Sequence, residues 1–112
     1  MPFKFSRCIC LQTPDAEKAT RFYHEVMGLP SVIRTDDQRE LTASQNRMFF
    51  DTGEARGPIM EFIVPDLDAA KAELLAAGCK VIRWEGKGGC CYIQDPFGFW
   101  FNLWEDPQEF TE

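Results

Sequence analysis

The chain has 112 residues, of which 45% are hydrophobic and 27% are charged, and its formal net charge at pH 7 is −6. This length suits a single domain with its own core, and no segment approaches the roughly 20 consecutive apolar residues that a membrane span requires. The acidic balance disfavours nucleic-acid and anionic membrane partners and mildly favours a cationic or neutral ligand. No signal-peptide pattern precedes the first predicted strand, so we expect a cytoplasmic protein whose five cysteines are reduced thiols.

The first half of the chain predicts a strand, a helix and three further short strands. Apolar and polar residues alternate over 3–12, which is typical of a strand. Asp15 can cap a helix that Gly28 ends, and its apolar stripe comprises Ala19, Phe22, Tyr23 and Val26. Strands are then predicted at 32–35, 40–44 and 47–51, with a polar turn at 36–38 and a linker of glycine and proline at 52–58.

The second half predicts the same plan. A strand at 59–64 precedes a helix at 66–77, whose inward residues are Leu67, Ala70, Leu74 and Ala77. Three strands follow, joined by a glycine-rich connection and a turn, at 80–84, 90–94 and 99–105. The polar tail 106–112 is expected to fray. The order βαβββ occurs twice, which predicts an α+β fold with helices on one face of mostly antiparallel sheets.

The two halves also repeat the same local signals at a fixed distance. Residues 13–15 and 64–66 each read X-Pro-Asp before a helix, and the two aspartates are 51 residues apart. A glycine ends each helix, at Gly28 and Gly78, and a Val-Ile-Arg strand follows each. This repeat predicts one domain over 1–112, built from duplicated modules of about 1–52 and 59–106.

The repeated segments resemble a known superfamily. Residues 13–15 and 22–29, the segment 64–70, and Asp-Pro-Phe-Gly at 95–98 are similar to the glyoxalase / bleomycin-resistance / extradiol dioxygenase superfamily, also called vicinal oxygen chelate. The resemblance implies two βαβββ modules that form a curled, cup-like mixed sheet with helices on its outer face. It also implies either a metalloenzyme or a metal-free binding protein, because the superfamily contains both.

The positions that carry metal ligands in the enzymes can be transferred to this chain one at a time. The resemblance places them at Cys8 and Ile59 on the first strand of each module, at Asn102 on the last strand, and near Phe49 in the first half. Isoleucine and phenylalanine bind no metal, asparagine is a weak neutral ligand, and only Cys8 could offer a thiolate. The single histidine, His24, lies on a helix and is expected at the surface. We therefore expect no metal and no other cofactor.

Strand alternation indicates what the cup contains instead. If Asn102 faces the cup, Phe101 and Leu103 face a helix. Glu61 is then the one carboxylate, and it could hold a cation together with aromatic rings, each worth about 0.5–2 kcal/mol. The predicted ligand-binding residues are Cys8, Cys10, Phe49, Ile59, Glu61, Trp100, Asn102 and Trp104. The same aromatic stripe would also suit a dimer interface or a filled cup.

These observations favour a metal-free binding protein of the bleomycin-resistance type. It would sequester a small aromatic or cationic compound, with antibiotics among the candidates, in a homodimer that the resemblance implies. No catalytic residue is predicted. The alternatives are a lyase or isomerase of the glyoxalase class, with a non-standard site around Cys8, Glu61 and Asn102, and a scaffold that binds no ligand. A nucleophilic Cys8 is disfavoured because no base or cation is predicted beside it.

Overall fold

A computed structural model describes residues 2–32 and 39–111. The chain divides into two compact units: the first unit is Arg7–Ile59, and the second unit is Met60–Glu112 together with Met1–Ser6. Within the described residues, neither helix is long and apolar enough to cross a membrane.

The first unit packs one helix on a four-stranded sheet. Its elements are β1 (Lys4–Thr13), α1 (Ala16–Arg21) with a π-helical turn (Phe22–Val26), β2 (Ser31–Val32), β3 (Glu40–Ala43) and β4 (Asn46–Thr52). The strand order is β2-β3-β4-β1, in which β1 and β4 are parallel and the other pairs antiparallel. Asp15 caps α1 by accepting the Lys18 N–H at 3.0 Å, and the core centres on Ala16, Leu41 and Phe50.

The second unit repeats this arrangement. Its elements are β5 (Arg56–Val64), α2 (Leu67–Ala76), β6 (Lys80–Trp84), β7 (Cys91–Gln94), β8 (Trp100–Glu105) and a 3₁₀ turn (Pro107–Phe110). The strand order is β5-β8-β7-β6, with β5 and β8 parallel. Asp66 caps α2 by accepting the Ala69 N–H at 3.1 Å. The buried core comprises Val64, Leu67, Ala70, Cys79, Cys91, Ile93 and Leu103.

The α+β class and the doubled βαβββ order are thus confirmed. The predicted strand over 32–35 and the turn at 36–38 lie mostly outside the described residues. The predicted linker was too long, because β4 continues to Thr52 and β5 begins at Arg56. Gly57 belongs to a strand that packs closely, since a Cβ there would lie 2.6 Å from the Leu11 side chain. A glycine in such a place marks close backbone approach and not a flexible loop.

The apolar stripe predicted for the first helix is only half right. Ala19 and Tyr23 pack against the core, but Phe22 and Val26 are 50% and 71% exposed. The helix changes to π geometry at Phe22, where the Met27 N–H donates to the Phe22 carbonyl five residues earlier. This wider turn carries side chains away from the 3.6-residue stripe on which the prediction rested.

The predicted ends of the second half also need correction. Ala77 is exposed, because α2 ends at Ala76. The tail, which was expected to be irregular, forms a 3₁₀ turn: Asp106 caps this turn, and the Lys4 ammonium lies 4.8 Å from the centre of the Phe110 ring. This contact joins the two ends of the chain, so no local pattern could have predicted it.

Candidate functional site

The second unit's sheet has one face covered by α2 and an opposite face that carries four of the eight predicted site residues, namely Glu61, Trp100, Asn102 and Trp104. Phe101 and Leu103 pack in the core beneath α2. Their neighbours on β8 therefore point to the opposite side, as the sequence predicted. We define the strand face of the second unit as Glu61 and Ile63 on β5, Tyr92 and Gln94 on β7, and Trp100, Asn102 and Trp104 on β8, which are register partners of one another.

Asn102 lies at the centre of this face and bonds in two directions. Its Oδ1 accepts the Cys91 backbone N–H at 2.7 Å, and its Nδ2 donates to Glu61 Oε2 at 2.9 Å. The backbone group can only donate and an ionised carboxylate can only accept, so these partners fix the orientation of the amide. The consequence is that Glu61 is held in one position by a side chain that is itself held by the backbone.

Aromatic rings flank this carboxylate–amide pair along β8. Tyr92 is buried, and its ring centre is 6.0 Å from that of Trp100, at an interplanar angle of 37°. Trp104, beyond Asn102, is 39% exposed and is the register partner of Ile63. A half-buried carboxylate on a strand face that also carries aromatic side chains can attract a cation through both charge and ring quadrupole.

The first-unit positions that correspond to Glu61 and Asn102 are also register partners of each other. Cys10 and Phe49 are register partners on the parallel strands β1 and β4, as Glu61 and Asn102 are on β5 and β8. This pairing supports the alignment of Phe49 with Asn102 that the repeat suggested. Cys8 and Ile59 are both buried, while Cys10 and Phe49 are half-buried.

The sheet face of the first unit that carries Cys10 and Phe49 also carries an ion pair that was not predicted from the sequence. Glu40 is buried, and it accepts from Arg47 Nε at 2.7 Å and from Arg47 Nη2 at 3.2 Å. The guanidinium lies 5.2 Å from the centre of the Phe49 ring, and Arg47 is the register partner of Cys8. Arg47 is thus a strand neighbour of Cys8, and the sequence analysis had placed no cationic residue there. The signal was present as opposite charges on the two strands of the predicted β3–β4 hairpin.

A groove of about 360 Å³ lies elsewhere in the first unit, beside α1. Its walls include Leu11, Tyr23, Phe50, Arg56 and Pro58. None of the predicted site residues lines it.

The residues at the family's metal positions do not fit a divalent metal. Both polar groups of Asn102 already bond to protein atoms, and Ile59 offers only hydrocarbon. Over the described ranges 2–32 and 39–111, no three His, Cys, Asp or Glu side chains are grouped as a metal site would need. His24 is exposed, as predicted, and its Nδ1 lies 2.7 Å from the Leu29 carbonyl oxygen at the end of its own helix.

No disulfide links any of the five cysteines, all of which lie within the described residues. Burial raises the pKa of the Cys91 thiol, and burial together with the nearby Asp95 charge raises the pKa of the Cys79 thiol. Both thiols are therefore protonated at neutral pH and act as small apolar residues of the core.

Comparison with known proteins places the chain in a family. The sequence profile described as a glyoxalase-like domain matches residues 8–104. A homoprotocatechuate 2,3-dioxygenase from Brevibacterium fuscum, in complex with 3,4-dihydroxyphenylacetate, is 23% identical with a TM-score of 0.65. The match covers 93% of this chain but 37% of the dioxygenase, so the chain spans about a third of that enzyme's length.

Two proteins of similar size share the fold. A glyoxalase/bleomycin resistance protein/dioxygenase superfamily member from Vibrio splendidus 12B01 is 15% identical, with a TM-score of 0.64 and coverage of 94% of this chain and 98% of its own. A hypothetical protein from Bacillus halodurans C-125 is 12% identical, with a TM-score of 0.63 and coverage of 95% and 96%. No protein of curated function matches the chain. At these identities the structural likeness establishes the fold alone, and the profile match over nearly the whole sequence establishes that the chain belongs to the glyoxalase-like domain family.

Proposed function

We propose that this chain is a metal-free small-molecule binding protein of the bleomycin-resistance type. Its ligand is a small aromatic compound, preferably one that carries a positive charge, and it binds on the strand face of the second unit. The observation that carries this proposal is the Glu61 carboxylate, which the Asn102 amide holds in place between the indoles of Trp100 and Trp104 along the strands.

The chemistry of Asn102 supports binding in preference to metal catalysis. A ligand to a metal presents a lone pair to the ion, whereas this amide directs its oxygen to a backbone N–H and its nitrogen to a carboxylate. That pattern orients Glu61. An oriented carboxylate beside aromatic rings attracts an ammonium group by about 0.5–2 kcal/mol per ring in addition to the charge–charge attraction.

The aromatic preference has a further support. The dioxygenase of similar fold binds 3,4-dihydroxyphenylacetate, which is a small aromatic compound. We extend the proposal to a cytoplasmic homodimer that sequesters such a compound, with antibiotics as candidate ligands, because the half-exposed Trp104 offers apolar surface to either a ligand or a second chain.

The test is a fluorescence titration that reads the tryptophans of this face. Trp84 lies outside this face, with the centre of its ring 4.6 Å from the Lys71 ammonium. The titration therefore uses a Trp84→Phe background, in which only Trp100 and Trp104 contribute tryptophan fluorescence. Benzylammonium, benzyl alcohol and benzoate share one ring and differ in charge. We expect saturable quenching by benzylammonium that weakens at least about fivefold in Glu61→Gln, while benzyl alcohol is unaffected.

Asp68→Asn is the matched control, because it removes the same charge from the exposed first turn of α2. Equal losses in both variants would refute a specific role for Glu61, and absence of quenching by every compound would refute the proposed face. Elemental analysis of protein purified without chelator addresses the enzyme alternative. A stoichiometric transition metal that is lost on Cys8→Ala would replace our proposal by a lyase or isomerase.

A further inference from the structure

The groove beside α1 lies within the first unit and has the size of a small-molecule site. Its volume of about 360 Å³ is near the lower end of the range for such sites. All of the residues that line it belong to the segment Arg7–Ile59. Aliphatic and aromatic side chains form most of its walls, and Gln12, Thr13 and Arg56 add polar groups.

The apolar wall of the groove is an edge of the first unit's core. Phe50 is a buried core residue, and Leu11, Ala19 and Tyr23 pack against that core. Protein cores are normally filled to high density, so an apolar hollow of this size at the edge of a core is uncommon. Water in the groove has few polar partners along this wall, and an apolar compound that displaces it gains affinity.

The aromatic part of the wall is held in place by other side chains. The ring centres of Tyr23 and Phe50 are 5.3 Å apart at an interplanar angle of 35°, and Phe22 meets Tyr23 edge-on at 5.4 Å. Tyr23 lies in the π-helical turn, a feature that occurs frequently at functional sites. Leu11 is restrained as well, because it packs closely on Gly57. A wall that is already ordered costs a ligand little conformational entropy on binding.

The polar groups of the groove favour an uncharged ligand. Among the described residues that line the groove, Arg56 is the one with a formal charge, and it has interactions of its own within the protein. We therefore assign Arg56 no bond to the ligand. A charged compound would lose hydration in this carbon-walled space, which is costly unless a new charge pair forms. Gln12 and Thr13 offer neutral donors and acceptors instead.

We propose that this groove binds an uncharged, flat and mainly apolar compound of one or two rings, such as indole, with its ring against Tyr23 and Phe50. The site goes beyond the strand face of the second unit, which selects for positive charge. It uses other residues and a ligand of different charge, so either proposal can fail while the other stands.

The test uses the fact that the chain has two tyrosines, Tyr23 in the groove and Tyr92 on the strand face of the second unit. In protein labelled with 3-fluorotyrosine, ¹⁹F NMR gives each site its own signal, which Tyr23→Phe and Tyr92→Phe assign. The probes are indole, benzoate and benzylammonium at constant ionic strength. We expect a saturable shift of the Tyr23 signal with indole, at affinity at least about fivefold higher than with either ion.

A Tyr23 shift that does not saturate with indole, or that shows equal affinity for all three probes, would overturn the proposal. The response of the Tyr92 signal to benzylammonium reports separately on the strand face.

A variant that fills the groove tests the location. Ala19→Leu adds three carbon atoms to the wall on α1, so the affinity of indole at Tyr23 should fall at least about tenfold. Ala72→Leu is the matched control, because it makes the same change at an exposed position of α2 and should leave that affinity unchanged. Equal affinities in the two variants would overturn the proposal. If Ala19→Leu does not fold, nuclear Overhauser effects between indole protons and the Leu11 methyl groups of the wild type decide: their presence supports the site, and their absence overturns it.

Discussion

Replacing Asn102 by aspartate tests the central contact of the second unit with almost no change in shape. The introduced carboxyl group can still accept the Cys91 N–H, but it places an oxygen where Asn102 Nδ2 now lies, 2.9 Å from Glu61 Oε2. A donor–acceptor contact becomes a contact between two acids. Because the backbone partner holds the side chain at position 102, the two groups cannot simply turn apart.

The cost of this change follows from electrostatics. Two full negative charges about 3 Å apart repel by about 5 kcal/mol at an effective dielectric constant of 20, and partial exposure of both groups reduces this value. The pair can also share a proton, which raises the pKa of the introduced group in the folded state at about 1.4 kcal/mol per unit. We expect Asn102→Asp to lose about 2 kcal/mol at pH 7.5 and almost nothing near pH 4.

The raised pKa predicts the direction of this pH dependence: the variant loses stability as the pH rises. A carboxyl group whose folded-state pKa is raised binds more protons when folded, so stability is intact below the unfolded pKa and falls as pH rises towards the folded one. Urea unfolding from pH 4 to 8 measures it. Gln94→Glu is the matched control, because it adds the same charge to the same face at a side chain whose bond is to the Gly98 carbonyl. A pH dependence as large in Gln94→Glu would refute the direct contact between Glu61 and Asn102.

Three further changes address burial, packing and titration. Arg47→Met removes the guanidinium that pairs with the buried Glu40 charge and should cost about 3 kcal/mol in urea unfolding, the low end for a buried pair because Arg47 is half exposed. Gly57→Ala places a Cβ 2.6 Å from the Leu11 side chain and should lower the free energy of unfolding by about 1–3 kcal/mol. Because burial raises the pKa of Cys91, the folded state keeps this proton above the unfolded thiol pKa, so stability falls as pH rises through the folded pKa. Cys91→Ala should therefore lose less stability between pH 7 and 9.5 than the wild type does.

Each of these three variants can be compared with a second variant at a matched position in the same chain. Arg83→Met breaks a solvent-exposed pair and should cost much less than Arg47→Met. Gly53→Ala meets the Gln12 side chain at 3.4 Å, an ordinary contact, so it should be close to neutral. Adding Cys79→Ala to Cys91→Ala should reduce the alkaline loss further, since the Cys79 pKa is also raised. Equal effects in the paired glycine variants, or an alkaline loss that neither cysteine changes, would contradict the contacts on which these predictions rest.

The parts of this fold that were predictable from sequence are those with local causes. Asp15 and Asp66 cap their helices from three residues away, and the glycines that end the helices adopt the positive φ, +80° at Gly28 and +99° at Gly78, that their position requires. The sheet face that each β8 side chain occupies was predicted from the alternation of side chains along a strand. Because such signals span a few residues and occur twice, the repeat and the α+β class could be identified together.

The structural features that could not be predicted from the sequence depend on contacts between residues distant in the chain. The hydrogen bond from Asn102 to Glu61 spans 41 positions, and the packing of the tail on Lys4 joins the two ends of the chain. The burial of Glu40 required the register of β3 against β4, because a charged residue in a short strand is otherwise expected at the surface. The π turn at Phe22 shifted side chains within a helix whose existence was predicted correctly.

The two units hold their charged side chains in different ways. In the second unit a neutral amide, Asn102, orients an acid, Glu61, and in the first unit a buried acid, Glu40, orients a base, Arg47. In both cases the orienting group is more constrained than the group it orients, and aromatic rings lie beside the charge. Since the supporting groups differ in kind, exchanging only the exposed charge would not convert one face into the other. An arginine at position 61 would meet the donor side of an amide, which repels a cation, so the partner of each exposed charge limits which charge can stand at that position.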